Sequence, residues 1–230
     1  MALSRGPEVV EATTFSAARR HAVELLPTID LLCRRHGVAP GALCEVYVSA
    51  GPGSFTGLRL GITVARTLAW SAGAAVVGVP TLDVIAQNAL EGPDPPPDLV
   101  VLLDAKRRRV YAAAFGLRGD VYRRLTEPAE WDVEKLAATL PAGCAAIGEG
   151  IPYHQAAVDR AGFRVLPPEG SRARAEVVHR LAYARARAGE VDDSAAIVPV
   201  YVRRPEAEEV WERRQGGAAA KPGGGPAPVS

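Results

Sequence analysis

Residues 51–70 read GPGSFTGLRLGITVARTLAW. They follow Glu45–Ala50 (EVYVSA), whose β-branched and apolar residues predict a buried strand. Gly51-Pro52-Gly53 ends that strand, and a helix is expected from about Ser54 to Ala72. A glycine-rich turn between strand and helix can cradle a phosphate, because free amides and the positive end of the helix dipole converge there. Gly51, Gly53, Ser54 and Thr56 would form such a loop. The pattern is neither GxxxxGK(S/T) nor GxGxxG, and no lysine follows, so a plain tight turn is the better local account. Within the helix, Gly57, Gly61, Ala65 and Ala69 recur at spacing four and form a row of small residues. Glycine inside a helix costs about 1 kcal/mol relative to alanine, so two on one stripe suggest a close neighbour. Leu58, Ile62 and Leu68 lie off the stripe and can pack on a sheet. The neighbour is either this chain's own first helix or a helix of another subunit, and spacing leaves both open.

Downstream, Ala75–Val79 (AVVGV) predicts another buried strand, and Pro80-Thr81-Leu82-Asp83 opens a helix to about Leu90. Upstream, Glu8–Phe15 reads as a short strand. Val23, Leu26, Ile29 and Leu32 mark an amphipathic helix over Ser16–His36, closed at Gly37, which Pro27 either kinks or divides. This strand–helix alternation is the α/β, doubly wound pattern. It breaks at Gly92–Pro97 (GPDPPP), which sets a first unit over 1–92 and a second over 98–215. In the second unit Leu99–Leu103 is a strand ending at Asp104, Lys106–Arg109 the tip of a hairpin, and Val110–Phe115 the returning strand. A strand over Ala145–Gly150 that ends in a glycine turn, a helix near Tyr153–Ala161 and a long helix around Ala175–Ala188 follow. Residues 216–230 form a low-complexity tail with nothing to bury, expected to be disordered.

Composition sets the outer limits. Hydrophobic residues are 48% and charged residues 23%, with a net charge of +1, as in ordinary globular domains and without a global case for nucleic acid. Cys33, Cys44 and Cys144 are widely spaced and form no CxxC pair, so reduced thiols are expected rather than disulfides or zinc. No signal-peptide core or spanning apolar run is present, and a cytoplasmic location without membrane contact is the expectation.

Residues 51–70 closely resemble the signature of the TsaB (YeaZ) family, a subunit of the machinery that makes threonylcarbamoyladenosine in tRNA. Arg20-His21 with Leu25–Ile29, Val77–Leu82, Asp104–Arg107 with Val110-Tyr111, and Pro199–Glu208 resemble further family segments in order. The resemblance implies an actin-like (ASKHA) fold of two related lobes and a scaffold role without chemistry of its own. It implies pairing with a TsaD-like transferase, a TsaE-like ATPase joining the pair, and tRNA reached through the complex. ATP and metal would belong to those partners, with no cofactor in this chain. It places His21, Gly57, Gly61, Ala65 and Ala69 at the partner interface, and leaves a homodimer open when the partner is absent. Members of the family open with an apolar-Asp-Thr-Ser strand and a second strand. This chain begins near what would be the third, so its first lobe is expected to lack the opening β-hairpin, and nucleotide binding by this chain is not expected.

Two other functional classes fit the sequence less well. A metallopeptidase-like or kinase-like enzyme of the same fold would need two histidines one helical turn apart, or a carboxylate with two phosphate loops. His21, His36, His154 and His179 contain no such pair, and only the first loop has a counterpart. A direct tRNA-binding module could use Lys106, Arg107, Arg108 and Arg109, with Tyr111 and Tyr122 nearby, for phosphate contact. Asp104, Asp120 and Glu127 lie close and favour a solvated hairpin tip. Glu206, Glu208, Glu209 and Glu212 surround Trp211 on a short helical pattern, which reads as solvated unless Trp211 docks it on the body or on a partner.

Overall fold

The computed structural model describes residues 1–14 and 21–201, with side chains of the first helix described from Val23 onward. His21 as a side chain, the closing Val202–Glu208 segment, the Trp211 helix and the 216–230 tail therefore lie outside the described residues.

The central unit forms as the sequence predicts. Glu45–Gly51 (β3) and Ala75–Pro80 (β4) pair in parallel, joined by the helix Phe55–Ala72 (α2). Ser54 caps α2, its hydroxyl accepting the Gly57 amide at 3.4 Å, and Gly73 ends it with its amide on the Ala69 carbonyl. Thr81–Asn88 (α3) follows directly.

The opening holds one strand more than the sequence reading marks. An antiparallel hairpin stands there, Ala2–Arg5 (β1) against Glu8–Ala12 (β2), with a bulge at Leu3/Ser4. Sequence reading found only the second strand, because ALSR has neither alternation nor β-branched residues to mark it. The hairpin is not continuous with β3 and β4: the two pairs are separate two-stranded sheets. His21–Arg35 (α1) then runs as one helix through Pro27, with Leu32 and Cys33 buried.

The second unit is a mixed sheet of six strands. Asp98–Asp104 (β5) and Val110–Arg118 (β6) form the predicted hairpin, extended by Val121–Arg124 (β7) and Ala129–Trp131 (β8), both paired to β6. After Val133–Ala137 (α4), Ala145–Ile147 (β9) joins β5 in parallel. Gln155–Arg160 (α5) leads to Arg164–Val165 (β10) beyond β9. Alternation along β5 sends Leu99, Val101 and Leu103 toward α3, and Val100 and Leu102 toward α4 and α5. All five are nearly or fully buried, each worth about 1.5–3 kcal/mol of hydrophobic stabilisation.

Two helices cross the boundary drawn at the proline run. Leu82 and Ile85 of α3 pack with Leu99 and Phe115 of the second sheet. Ala175–Arg187 (α6) returns to pack on all four strands of the first unit, setting Val177, Val178 and Ala182 on Val77 and Val79.

Candidate functional site

The residues singled out from the sequence fall into two regions, the α1–α2 surface and the cleft between the lobes. On α2 the small-residue row is turned inward. Ala65 and Ala69 are 4% and 2% exposed and share the sheet-facing side with Ile62. An added Cβ on Gly61 would meet Val48 of β3 at 3.9 Å. The close neighbour is therefore this chain's own β3–β4 sheet. Ala65 and Ala69, expected at a partner interface, are thus buried within this chain, and Gly57 and Gly61 stay half-buried.

What faces outward is apolar instead. Along α1 the exposed positions Val23, Leu26, Pro27, Asp30, Leu31 and Arg34 follow helical spacing, while Leu32 and Cys33 point inward. Val23, Leu26 and Leu31 are 75%, 57% and 51% exposed, and Trp70 near the end of α2 is 84% exposed. Val23 and Leu26, which periodicity set on one apolar face with Ile29 and Leu32, thus stand open to water while Leu32 is buried, and Leu31 extends the outer side.

The glycine turn enters the second region. Gly51 has a φ of 114°, and a Cβ there would lie 2.6 Å from the Val200 carbonyl, so the returning C-terminal segment seals against it. Its amide donates to the Thr81 hydroxyl at 3.1 Å, and the Gly57 amide is taken by Ser54. Those two donors are thus spent within the chain, which weakens the phosphate-loop reading. Gly53, Ser54, Phe55 and Thr56 do form one wall of a cleft of about 940 Å³.

The facing wall comes from the second lobe. Lys106 donates to Asp104 twice, from Nζ at 2.6 Å and from its amide at 3.0 Å, and His154 Nε2 lies 3.2 Å from the same carboxylate. Burial pushes the Asp104 carboxyl up, but the bonds from Lys106 and His154 outweigh it and hold it below the usual range. Lys106, Arg107 and Arg108 all have left-handed φ, at 64°, 50° and 61°. Asp104 holding the Lys106 amide and Arg109 N–H on the Lys106 carbonyl keep this turn closed. Arg109 pairs with Glu130, so Lys106 and Arg109, both proposed for tRNA, already meet carboxylates. At the cleft floor Gly148, with φ 136°, approaches Leu102 so closely that a Cβ would sit 2.1 Å from its carbonyl oxygen.

The cleft walls are held by α3. Gln87, 3% exposed, donates to the Tyr122 carbonyl at 2.8 Å and accepts the Tyr122 amide at 3.0 Å. Asn88 donates to the Gly170 and Arg172 carbonyls, both at 2.7 Å. Sequence reading passed over this pair, although two adjacent amides inside the apolar helix TLDVIAQN were a usable signal. No group of three or more metal-ligating side chains occurs among the described residues, and no described helix is long and apolar enough to cross a membrane.

The family model described as TsaD, tRNA N6-adenosine threonylcarbamoyltransferase, matches residues 15–164. The tRNA threonylcarbamoyladenosine biosynthesis protein TsaB of Bacillus subtilis (strain 168) is 32% identical over 50% of this chain and 49% of its own length. The chain thus spans about half the length of that curated relative. The uncharacterized protein Rv3421c of Mycobacterium tuberculosis is 32% identical over 83% of this chain and 79% of its own. Among solved structures, YeaZ from Pseudomonas aeruginosa superposes with a TM-score of 0.68 at 29% identity, covering 79% of this chain and 84% of that one.

Proposed function

This chain belongs to the family of TsaD and TsaB (YeaZ) proteins, and from that membership we propose that it serves threonylcarbamoyladenosine biosynthesis in tRNA as a non-catalytic subunit, pairing with a TsaD-like transferase and raising its activity. The observation that carries this reading is the outer face of α1. A helix with Leu32 and Cys33 buried inside and Val23, Leu26 and Leu31 open to water outside is suited to a second covering surface. Trp70 supplies on α2 the kind of large aromatic anchor that interfaces favour. In this reading ATP and metal stay with the transferase and a TsaE-like ATPase, and tRNA is met by the assembled complex. Direct tRNA contact through Lys106–Arg109 has less support, because Lys106 and Arg109 are engaged by Asp104 and Glu130.

Co-expression with the TsaD of the same genome, followed by size exclusion and an assay of tRNA modification, tests the proposal. Co-elution with increased modification is the expected outcome. A chain that neither co-elutes nor stimulates returns the protein to the enzymatic and RNA-binding readings.

A further inference from the structure

The β3–β4 pair has one closed edge and one open edge. Beyond β4 the chain covers its own backbone. The Asp192 amide donates to the Val76 carbonyl at 2.8 Å, and the Asp192 carboxylate accepts the Gly78 amide at 2.6 Å. On β3 the Ala75 amide donates to the Cys44 carbonyl at 2.9 Å, which sets the ladder to β4 on Cys44, Val46 and Val48. Backbone groups alternate along a strand, so the N–H and C=O of Glu45, Tyr47 and Ser49 turn to the far edge. Among the described residues no backbone group pairs with that edge, and β1–β2 stands as a separate sheet. Nor does the edge carry the usual guards, since EVYVS has no lysine, proline or register shift before Ser49.

Helix α6 covers this edge as it covers β4. One flank sets Val178 and Ala182 on Val77 and Val79 of β4. From the other flank the His179 ring lies 5.6 Å from Tyr47 of β3 and 5.6 Å from Tyr183. A Cβ on Gly6, in the β1–β2 turn, would stand 3.9 Å from the Tyr183 hydroxyl. The hairpin therefore lies under α6 on the open side of β3. Between the two pairs His179 is 6% exposed, and its Nε2 has no hydrogen-bond partner among the described residues. A polar atom buried in that state is costly and calls for a partner. Val46, Tyr47 and Val48 are only half-buried, whereas Val76, Val77 and Val79 beside them are almost wholly buried.

We propose that the open edge of β3 receives one extended strand of another polypeptide, matched to residues 45–49 and apolar on both faces. Its main chain bonds to Glu45, Tyr47 and Ser49 and so continues the ladder. Side chains on one face meet Tyr47 and His179 under α6, and those on the other meet Val48 on the α2 side. Cover on both faces is what makes an apolar strand the fitting occupant. The hairpin beside β3 favours a single strand, which adds about 4.8 Å to a sheet, over a helix about 10 Å across. The partner reading above rests on α1 and Trp70, so the two stand or fall separately.

The probe is the synthetic peptide KKVIVTVKK, acetylated, amidated and fluorescently labelled, titrated against the full chain by anisotropy. Binding with a micromolar Kd is expected. The same peptide N-methylated throughout VIVTV keeps its side chains but loses its main-chain donors, and should bind at least roughly tenfold more weakly. Residue-resolved hydrogen exchange locates the site. The Tyr47 and Ser49 amides should exchange fast in the free chain and slow by roughly tenfold when the peptide is bound. Slow exchange of these amides in the free chain overturns the proposal, because the edge is then already closed. So does failure of the peptide to bind, or equal binding of the N-methylated form. Protection confined to residues away from β3 and the hairpin overturns it as well, since the peptide would then sit on another surface.

Discussion

Replacing Gln87 by methionine removes the clamp between α3 and β7 while keeping side-chain volume. Gln87 is 3% exposed, and its amide satisfies both the carbonyl and the N–H of Tyr122. Methionine leaves these two backbone groups buried without partners, at about 1–3 kcal/mol each. Some relaxation toward water is available at the β7 edge, so a loss of about 2–4 kcal/mol is expected. With a urea dependence of about 2–3 kcal/mol per molar, the unfolding midpoint should fall by roughly 1 M. Gln87→Ala adds a cavity and should lose somewhat more. Equilibrium urea unfolding followed by far-UV circular dichroism reads both. If Gln87→Met stays within about 0.5 kcal/mol of the native chain while Gln87→Ala does not, then packing, not hydrogen bonding, joins the lobes here, and the reasoning is refuted.

Leu26→Glu with Leu31→Glu should abolish co-elution with TsaD and leave the thermal midpoint within a degree or two, because both side chains already face water. Unchanged co-elution would move the partner surface elsewhere. Arg108→Gly should stabilise by about 0.5–1 kcal/mol, since its φ of 61° strains an L-residue by more than glycine adds to unfolded-chain entropy. A loss on thermal or urea unfolding would show that the Arg108 side chain itself holds the turn. Asp104 has a folded pKa below its unfolded one, so its contribution is present above the unfolded value of about 4 and disappears as pH falls through the folded value. The difference in Tm between the native chain and Asp104→Asn should therefore be widest near neutral pH and close below about pH 4. A constant difference across that range would sever the turn from this titration.

The strength of local signals explains which parts were legible beforehand. EVYVSA and AVVGV around a small-residue helix could form little else than a parallel βαβ unit, since short β-branched runs need cover on both faces. LVVLL and VYAAAF about a charged tip read as a hairpin for the same reason. ALSR carried no such signal, so β1 and its pairing with β2 were missed.

The amino-acid sequence by itself determined these elements and the kinship of residues 51–70, because chain-local periodicity and turn chemistry decide them. Tertiary structure alone decided that Ala65 and Ala69 lie under α2 against the chain's own sheet, and that α6 returns to cover β1–β4. It also decided that Gln87 and Asn88 bind segments 35 and more than 80 residues away. A helical period marks a stripe but carries no information about what lies across it. Partners so distant in sequence are chosen only when the whole chain closes on its core.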